Sequence, residues 1–319
     1  MKRVLFLFLD GVGLAPAAPT NPLTEVGDAF RMLSADAPWT SAFHSHLSDT
    51  HLSRPIDATL GVSGLPQSGT GQATLFTGTN AARTVGRHFG PFPHSNTYPQ
   101  LDRANVFHQI QSLPTPLPVA FANAYPPQYF NADRRRWTVT TRCCAGANVR
   151  LRTESDLRDG QAVTADLTGQ AWREHLDLDT PIRSEPEAAR NLAALACNHA
   201  FTLFEFFQTD KVGHRRVEQS PTSLLAQLNS FLGALLSALS PSETTLILTS
   251  DHGNLEDMSH TQHTRNPVPF IAYGWAAPYF ANVQSLTDVT PAIVNALQMA
   301  NGIPSRVQQP PSQTQSPAR

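Results

Sequence analysis

The sequence is poor in cysteine and has no excess of charge of either sign. Its 319 residues include three cysteines, and 23 Lys+Arg against 25 Asp+Glu leave a net charge of −2. Cys143 and Cys144 are adjacent and Cys197 lies in a helical pattern, so neither a disulfide framework nor a cysteine zinc site is visible. We therefore expect a cytoplasmic protein. The balanced charge predicts neither a nucleic acid nor an anionic membrane as partner.

Long hydrophobic runs are also missing. At the N-terminus two basic residues precede six apolar ones, but Asp10 and Gly11 end that run too early for a signal peptide or a membrane span. We interpret it as a buried strand. The 26 prolines cluster in the middle of the chain and in the polar tail 303–319, which we expect to be disordered because it cannot bury enough apolar surface.

Apolar strands alternate with helical patterns, which predicts an α/β fold with a doubly wound, mostly parallel sheet and helices on both faces. The predicted strands are 3–9, 118–123, 201–207, 245–249 and 268–273. The predicted helices are 102–111, 185–199, 222–239 and 287–297, with Thr287 as the N-cap of the last, and a further helix starts at 72. Residues 1–87 and 184–302 would form the core, and 88–183 a small inserted cap subdomain.

Three apolar strands run into an aspartate. These are Asp10, Asp210 and Asp251, and in a doubly wound sheet such strand ends lie along one edge. Three histidines lie nearby in the sequence, namely His214, His252 and His263. Six buried ionisable groups would be very costly without compensation of charge, so this pattern favours two divalent cations. Carboxylate and imidazole ligands without a thiolate fit Mn²⁺ or Zn²⁺ best, with Mg²⁺ as the alternative.

The glycine-rich loop 61–71 leads into a helix and presents hydroxyl groups. Ser68, Thr70 and Thr74 are the candidates there, and each could cap the helix or face a ligand at the positive end of the helix dipole. From this loop alone, capping is the expected role of any one of them. A pair of metal ions about 4 Å apart is the usual arrangement for displacement at phosphorus.

Taken together, the segments 7–13, 64–71, 210–216, 250–254 and 263–269 resemble the metal-dependent branch of the alkaline phosphatase superfamily, and especially cofactor-independent phosphoglycerate mutase and phosphopentomutase. The resemblance implies one metal ion held by Asp210, His214 and His263, and a second held by Asp10, Asp251 and His252. It places the nucleophile, which is also a metal ligand, at Ser68, with Thr70 as the alternative. It further implies phosphoryl transfer through a phosphoserine on a small phosphorylated metabolite, as a mutase or a hydrolase.

Two matters stay open in the sequence. A catalytically silent metal-binding protein on the same fold is the competing function. The candidate substrate contacts are polar residues near the predicted site loops, namely Arg87, His88, Asn123, Tyr125 and Arg265. Glu205 is expected at the core edge or facing a helix, His260 is rejected as a ligand in favour of His263, and the basic cluster 134–136 is expected on a solvated face.

Overall fold

Seven strands form one mixed sheet in the computed structural model, which describes residues 1–131 and 137–304. They are β1 (Arg3–Leu9), β2 (His46–Leu47), β3 (His51–Ile56), β4 (Val119–Phe121), β5 (Phe201–Phe206), β6 (Thr244–Thr249) and β7 (Val268–Tyr273). Their order is β2-β3-β7-β6-β1-β5-β4. Strands β6, β1, β5 and β4 run parallel, and β7, β3 and β2 are added antiparallel. The predicted α/β fold is confirmed, and the antiparallel edge is what the sequence did not predict.

Helices cover both faces of this sheet. The first group is α1 (Asp28–Leu33), α2 (Ser68–Thr77), α3 (Ala81–Val85), α4 (Tyr98–Arg103), α5 (Val106–Gln111), α6 (Pro127–Phe130) and α7 (Val139–Gly146). The second is α8 (Glu154–Arg158), α9 (Gln170–Leu176), α10 (Glu185–Cys197), α11 (Gln208–Gly213), α12 (Pro221–Ala238) and α13 (Leu286–Ala300). Short 3₁₀ segments lie at Pro22–Thr24, Ser95–Thr97 and Ala277–Phe280.

The side chains of β1 show how the two layers form. Successive side chains of a strand point to opposite faces, so Phe6 and Phe8 join the core under α2, α5, α7 and α13. Leu5 and Leu7 join the core under α1, α10 and α12. All four are fully buried, which explains why this strand is apolar without alternation.

Two helix starts differ from the prediction. Helix α2 begins at Ser68 rather than at 72, after Gln67, whose side chain makes no cap hydrogen bond. Helix α13 is capped by Ser285, whose hydroxyl oxygen accepts the N–H of Thr287 within a capping box completed by Asp288. The prediction of Thr287 as N-cap is therefore wrong.

The predicted cap subdomain, 88–183, includes elements that pack with the main sheet. Strand β4 lies within it, yet pairs in parallel with β5 of the main sheet, and α5 and α7 pack in the core beside it. A small separate cluster of buried residues remains, made of Ala124, Leu157, Ala162 and Trp172. The basic cluster 134–136 and the tail from 305 lie outside the described residues. Within the described ranges, no helix combines the length and apolar character needed to cross a membrane.

Candidate metal centre

Three neighbouring strands of the sheet deliver the carboxylates. Asp10 directly follows β1, Asp251 comes two residues after β6, and Asp210 lies in α11 just beyond β5. Because β6, β1 and β5 are adjacent and parallel, their carboxyl ends share one edge. The structure thus brings together residues that are up to 241 positions apart in the sequence.

The six predicted metal ligands form two clusters. One contains Asp210, His214 and His263, and the other contains Asp10, Asp251 and His252. In each cluster the potential ligand atoms lie within 4.8 Å of one another. This grouping is the one that the family resemblance implied.

Backbone carbonyls orient the histidines of the first cluster. Nδ1 of His214 lies 2.7 Å from the carbonyl oxygen of Thr261, and Nδ1 of His263 lies 2.7 Å from that of Pro66. A carbonyl oxygen can only accept, so each Nδ1 carries the proton, and in the neutral ring Nε2 presents a lone pair. Metal-binding histidines in proteins are commonly held in this way by their second nitrogen.

The two Nε2 atoms of this cluster need a positive group between them. His214 Nε2 and His263 Nε2 are 2.9 Å apart, and they lie 3.4 and 3.5 Å from Asp210 Oδ1. Two neutral rings of this tautomer would face each other with lone pairs, so a proton or a metal cation must separate them. Accordingly, although burial lowers the pKa of His263, its hydrogen bonds with Asp210 and the Pro66 carbonyl, together with the nearby carboxylate charges, outweigh burial and raise the pKa overall. These residues therefore fit a bound divalent ion.

The second cluster contains carboxylate oxygens without a partner. Asp10 Oδ1 and Asp251 Oδ2 are buried and accept no hydrogen bond from the described residues. They lie 3.4 and 3.5 Å from His252 Nε2, while His252 Nδ1 lies 3.3 Å from the carbonyl oxygen of Gly253. Orphaned buried carboxylate oxygens around an imidazole lone pair again fit a cation.

The electrostatics of this second cluster also favour a bound cation. Burial, and then the charge of Asp210, raise the pKa of Asp251 to about 8. Burial and the charge of Asp251 raise the pKa of Asp10 well above its ordinary value. Burial and the charge of His263 lower the pKa of His252 to about 3. Without metal, the cluster thus favours protonated carboxyls beside a neutral ring, and a bound cation would reverse that preference for the carboxylates.

The pKa of Asp210 is shifted in the opposite direction, below its ordinary value. Burial pushes the pKa of Asp210 upward, but the hydrogen bond with His263 and the charge of His252 outweigh burial and hold it below its ordinary value. The side-chain amide of Asn254 donates to Asp210 Oδ1 over 2.8 Å and orients it further. The carboxylate of the first cluster is therefore ionised and held in place by its surroundings.

Ser68 is placed as the resemblance implied. As the first residue of α2 it is buried, and its Oγ lies 2.9 Å from His252 Nε2, the nitrogen that faces the second cluster. The hydroxyl of Thr70 instead forms hydrogen bonds with backbone groups. It donates to the carbonyl oxygen of Gln67 over 3.2 Å and accepts the N–H of Phe89 over 3.1 Å. These contacts favour Ser68 over Thr70.

A cleft of about 330 Å³ opens onto this centre. It is lined by Leu65, Gln67, Ser68, Pro91, Asp210, His214, Arg216, Thr261, Gln262 and His263. Arg216 is the residue that sequence reasoning missed here, although it stands in the segment 210–216 that carried the family resemblance. Its side chain is exposed and makes no hydrogen bond or ion pair with the described part of the chain. A permanently charged guanidinium in a cleft beside a nucleophile suits a phosphoryl group.

The five predicted substrate contacts do not line this cleft. Both amide atoms of Asn123 bind the backbone of Glu205, at 2.7 and 2.8 Å, so Asn123 joins β4 to β5. Tyr125 packs against Tyr129 with ring centroids 4.2 Å apart. These contacts are structural rather than directed at the metal centre.

The other three predicted contacts are also occupied within the fold. Arg87 lies over the ring of Phe89 at 5.7 Å, and His88 Nε2 lies 3.3 Å from the carbonyl oxygen of Val62. The guanidinium of Arg265 donates to the carbonyl oxygen of Gly64. Arg265 therefore holds the loop before Ser68.

Comparisons with known proteins agree with this centre. A sequence model of the Metalloenzyme superfamily matches residues 177–301, the part that contains five of the six clustered ligands. The 2,3-bisphosphoglycerate-independent phosphoglycerate mutase of Acinetobacter baylyi is 32% identical over 106 residues, which are 31% of this chain and 20% of that enzyme. The enzyme of the same name from Dinoroseobacter shibae is 28% identical over 130 residues, covering 39% and 26%. The chain thus matches about a fifth to a quarter of the length of these relatives.

A solved structure shares the fold along nearly the whole chain. The PH0037 protein from Pyrococcus horikoshii superposes with a TM-score of 0.54 at 13% identity, over 93% of this chain and 97% of that one. At this identity the likeness concerns the fold alone. The matched family model and the two carboxylate–imidazole clusters together indicate a metal-dependent enzyme that is similar to the Metalloenzyme superfamily.

Proposed function

We propose that this chain is a two-metal phosphoryl-transfer enzyme that acts on a small phosphorylated metabolite through a phosphoserine at Ser68. The observation that carries the proposal is the position of Ser68. Its hydroxyl lies 2.9 Å from His252 of one cluster and lines the same cleft as Asp210, His214 and His263 of the other. A single nucleophilic hydroxyl therefore faces both groups of ligands.

The ligand types indicate the metal. Asp210, His214 and His263 would hold one divalent ion, and Asp10, Asp251 and His252 the other, with Ser68 as an added ligand. Mixed oxygen and nitrogen donors suit Mn²⁺ first, with Zn²⁺ and Mg²⁺ as alternatives. When bound, such ions lower the pKa of a coordinated hydroxyl and neutralise phosphoryl oxygens.

The residues of the chain itself perform the transfer. The Ser68 hydroxyl loses its proton to solvent, and its oxygen forms a bond to phosphorus while the bond from phosphorus to the leaving oxygen breaks. The leaving oxygen takes up a proton from solvent, so the step balances. Ser68 begins a ten-residue helix, whose N-terminus favours negative charge, and Arg216 is placed to pair with the phosphoryl oxygens. The phosphoserine is then cleaved by water, in a hydrolase, or by a second hydroxyl of the substrate, in a mutase.

The relatives support the reaction type rather than the substrate. Both curated relatives described above are named as phosphoglycerate mutases, and each matches about a third of this chain. The proposal covers both a mutase and a hydrolase. It also includes the cytoplasmic location and the small phosphorylated substrate. The competing function is a catalytically silent metal-binding protein. The intact Ser68 beside the clusters argues against it, because a silent relative has no need to keep the nucleophile.

A phosphoenzyme assay tests the proposal. The protein is stripped with chelator, reloaded with Mn²⁺, Zn²⁺ or Mg²⁺, and given phosphoglycerates, sugar phosphates and p-nitrophenyl phosphate. We expect turnover with metal, and acid-quenched protein should carry phosphate on Ser68 by mass spectrometry. Ser68→Ala should lower kcat/KM by on the order of 10⁴-fold or more, because it removes the nucleophile.

Thr70→Ser is the matched control, because it keeps the hydroxyl that binds the backbone at residue 70. It should leave the phosphate on Ser68 and keep most of the activity. Turnover that survives Ser68→Ala, with phosphate found at residue 70, would transfer the nucleophile to Thr70. Full metal binding without turnover of any phosphoester would support the silent metal-binding protein.

A further inference from the structure

A buried carboxylate outside both clusters contacts three of the loops that carry metal ligands. Glu256 is 1% exposed. Its Oε2 accepts the backbone N–H of Gly13 over 2.9 Å and that of Asn254 over 2.7 Å. Its Oε1 accepts hydrogen bonds from the hydroxyl of Thr264 and, over 3.1 Å, from the side-chain amide of Asn266. All four partners are donors.

Each of these loops contains metal ligands within a few residues of the contact. Gly13 is three residues after Asp10, Asn254 is two residues after His252, and Thr264 directly follows His263. The loops come from the ends of β1 and β6 and from the segment before β7. Glu256 therefore connects ligands of both clusters.

The glycines of these loops make room for the carboxylate. A Cβ at position 13 would lie 2.3 Å from Glu256 Oε1, and a Cβ at position 253 would lie 2.1 Å from the same atom. Real side chains do not approach so closely, so any other residue at either position would displace Glu256. Gly13 and Gly253 are thus explained by close packing on this carboxylate.

Asn254 extends the contact to the fourth loop. While its backbone N–H binds Glu256, its side-chain amide donates to Asp210 Oδ1 over 2.8 Å and lies 3.3 Å from the Asp210 carbonyl oxygen. A Cβ at Gly213 would lie 2.6 Å from this side chain, so α11 also packs closely on it. All four ligand-bearing segments are therefore tied to the pair Asn254–Glu256.

We propose that Glu256 is a positioning residue that holds the ligands of both metal sites in one arrangement, and that Asn254 extends this control to Asp210. This inference rests on the proposed metal binding and concerns the affinity for metal rather than the chemical step. Residues that orient metal ligands from outside typically contribute 10- to 100-fold in affinity. Because Glu256 touches loops of both clusters, its loss should weaken both sites.

Metal titration of the intact chain tests this inference directly. The chelator-stripped protein is titrated with Mn²⁺, and the two dissociation constants are measured by electron paramagnetic resonance at 25 °C. In Glu256→Gln, an amide N–H₂ of similar shape faces two of the four donors and cannot accept their hydrogen bonds. The ligand loops are then held less firmly, so we expect both dissociation constants to rise by about 10- to 100-fold. Asn254→Ala, which removes only the contact with Asp210, should weaken only the site of Asp210, His214 and His263.

Glu187→Gln is the matched control for a general loss of stability. Glu187 also accepts a backbone N–H and a hydroxyl, both from Ser184, but it does so on the exposed start of α10. It should leave both constants unchanged. Circular dichroism checks that every variant is folded at 25 °C.

The outcomes separate this inference from the proposed function. Unchanged constants in Glu256→Gln, or a rise at one site alone, would overturn the shared positioning role while the phosphoryl-transfer proposal stands. A wild-type chain that binds no Mn²⁺, Zn²⁺ or Mg²⁺ would instead overturn the proposed function and this inference together. A rise of both constants in Glu187→Gln as well would show that loss of stability explains the effect, and would overturn the inference.

Discussion

His252 and His263 stack face to face, with ring centroids 3.7 Å apart and an interplanar angle of 17°, although they belong to different metal clusters. His263 also approaches His214, whose ring centroid lies 4.9 Å away. The loop 250–254 and the segment at 263 therefore do not form one site. They form the contact between two sites.

The stacked pair predicts that the two sites respond differently to loss of a histidine. His263→Ala removes a ligand from the first cluster and the stacking partner of His252 from the second. We expect Mn²⁺ affinity to fall by more than ~100-fold at the first site and about tenfold at the second, which loses only an orienting neighbour. His214→Ala is the control, because it removes a ligand of the first cluster without stacking on His252. Equal effects of both variants on the second site would contradict this role of the stack.

Metal binding should release protons at neutral pH. The pKa of Asp251 is raised to about 8 in the metal-free site, by burial and by the charge of Asp210, so a cation must displace a proton below that pH. The affinity of the second site should fall by up to ~10-fold for each unit of pH below about 8. Calorimetric titration with Mn²⁺ at pH 7, in two buffers of different ionisation enthalpy, measures the protons released. Asp251→Asn should reduce that number, and an identical heat in both buffers for the wild type would refute the prediction.

Glu205 should make the fold less stable as the pH rises. Its side chain is 4% exposed and faces Thr140 of α7, and burial raises its pKa from 4.5 to about 7. The folded state therefore holds a proton that the unfolded chain has released, so the contribution of Glu205 to stability is greatest below pH 4.5 and falls up to about pH 7. The shift corresponds to about 3 kcal/mol. This helix-facing position agrees with the role expected from the sequence.

Glu205→Gln should remove this pH dependence. We expect the variant to be more stable than the wild type at pH 8, with a flatter profile between pH 5 and 8, as measured by urea unfolding of the metal-free protein. Glu187→Gln serves as control, because the hydrogen bonds from Ser184 lower the pKa of Glu187 and its contribution lies in the acid range. A wild-type profile that rises from pH 5 to 7, and that Glu205→Gln does not alter, would show that Glu205 is not the source.

Arg216 should determine the affinity for the phosphoryl group. Charge-assisted hydrogen bonds contribute about 1.5–3 kcal/mol, so Arg216→Gln should lower kcat/KM, and the affinity for inorganic phosphate as inhibitor, by roughly 10- to 100-fold. Arg215→Gln is the matched control, because Arg215 donates to the carbonyl oxygen of Met258 and is not among the residues lining the cleft. It should change neither value by more than about twofold. Equal losses in both variants would indicate a general effect of charge instead.

Much of the fold was predictable because burial on both faces leaves a clear pattern. Strand β1 is apolar throughout, and the predicted range 3–9 matches Arg3–Leu9. Strand β7 was found within its predicted range too, but its antiparallel direction was not, because direction depends on the connection and leaves no mark in the side chains. The partner of a strand leaves no mark in the side chains either. For that reason β4, which is three residues long, was assigned to the cap rather than to the sheet.

The site was predictable where a strand end fixes the position of a side chain. Contacts from loops were not, because the path of a loop depends on what packs beneath it. Asn123 was thus expected at the substrate and is found binding the backbone of Glu205. Conversely, the sequence did not indicate Glu256 and Arg216 as functional residues, because an acidic residue in a loop and an arginine after a histidine are common.

By itself, the sequence determined which residues could bind metal and which edge of the sheet would carry them. Apolar strands that end in aspartate place those carboxylates together in any parallel sheet, whatever the remaining detail. Only the tertiary structure decided how close the clusters lie, which hydroxyl faces them, and which residues hold the loops. Those relationships depend on distances of 2.7 to 3.7 Å between segments far apart in the chain, such as Gly13 with Glu256 and His252 with His263. Packing sets such distances, and residue type alone does not.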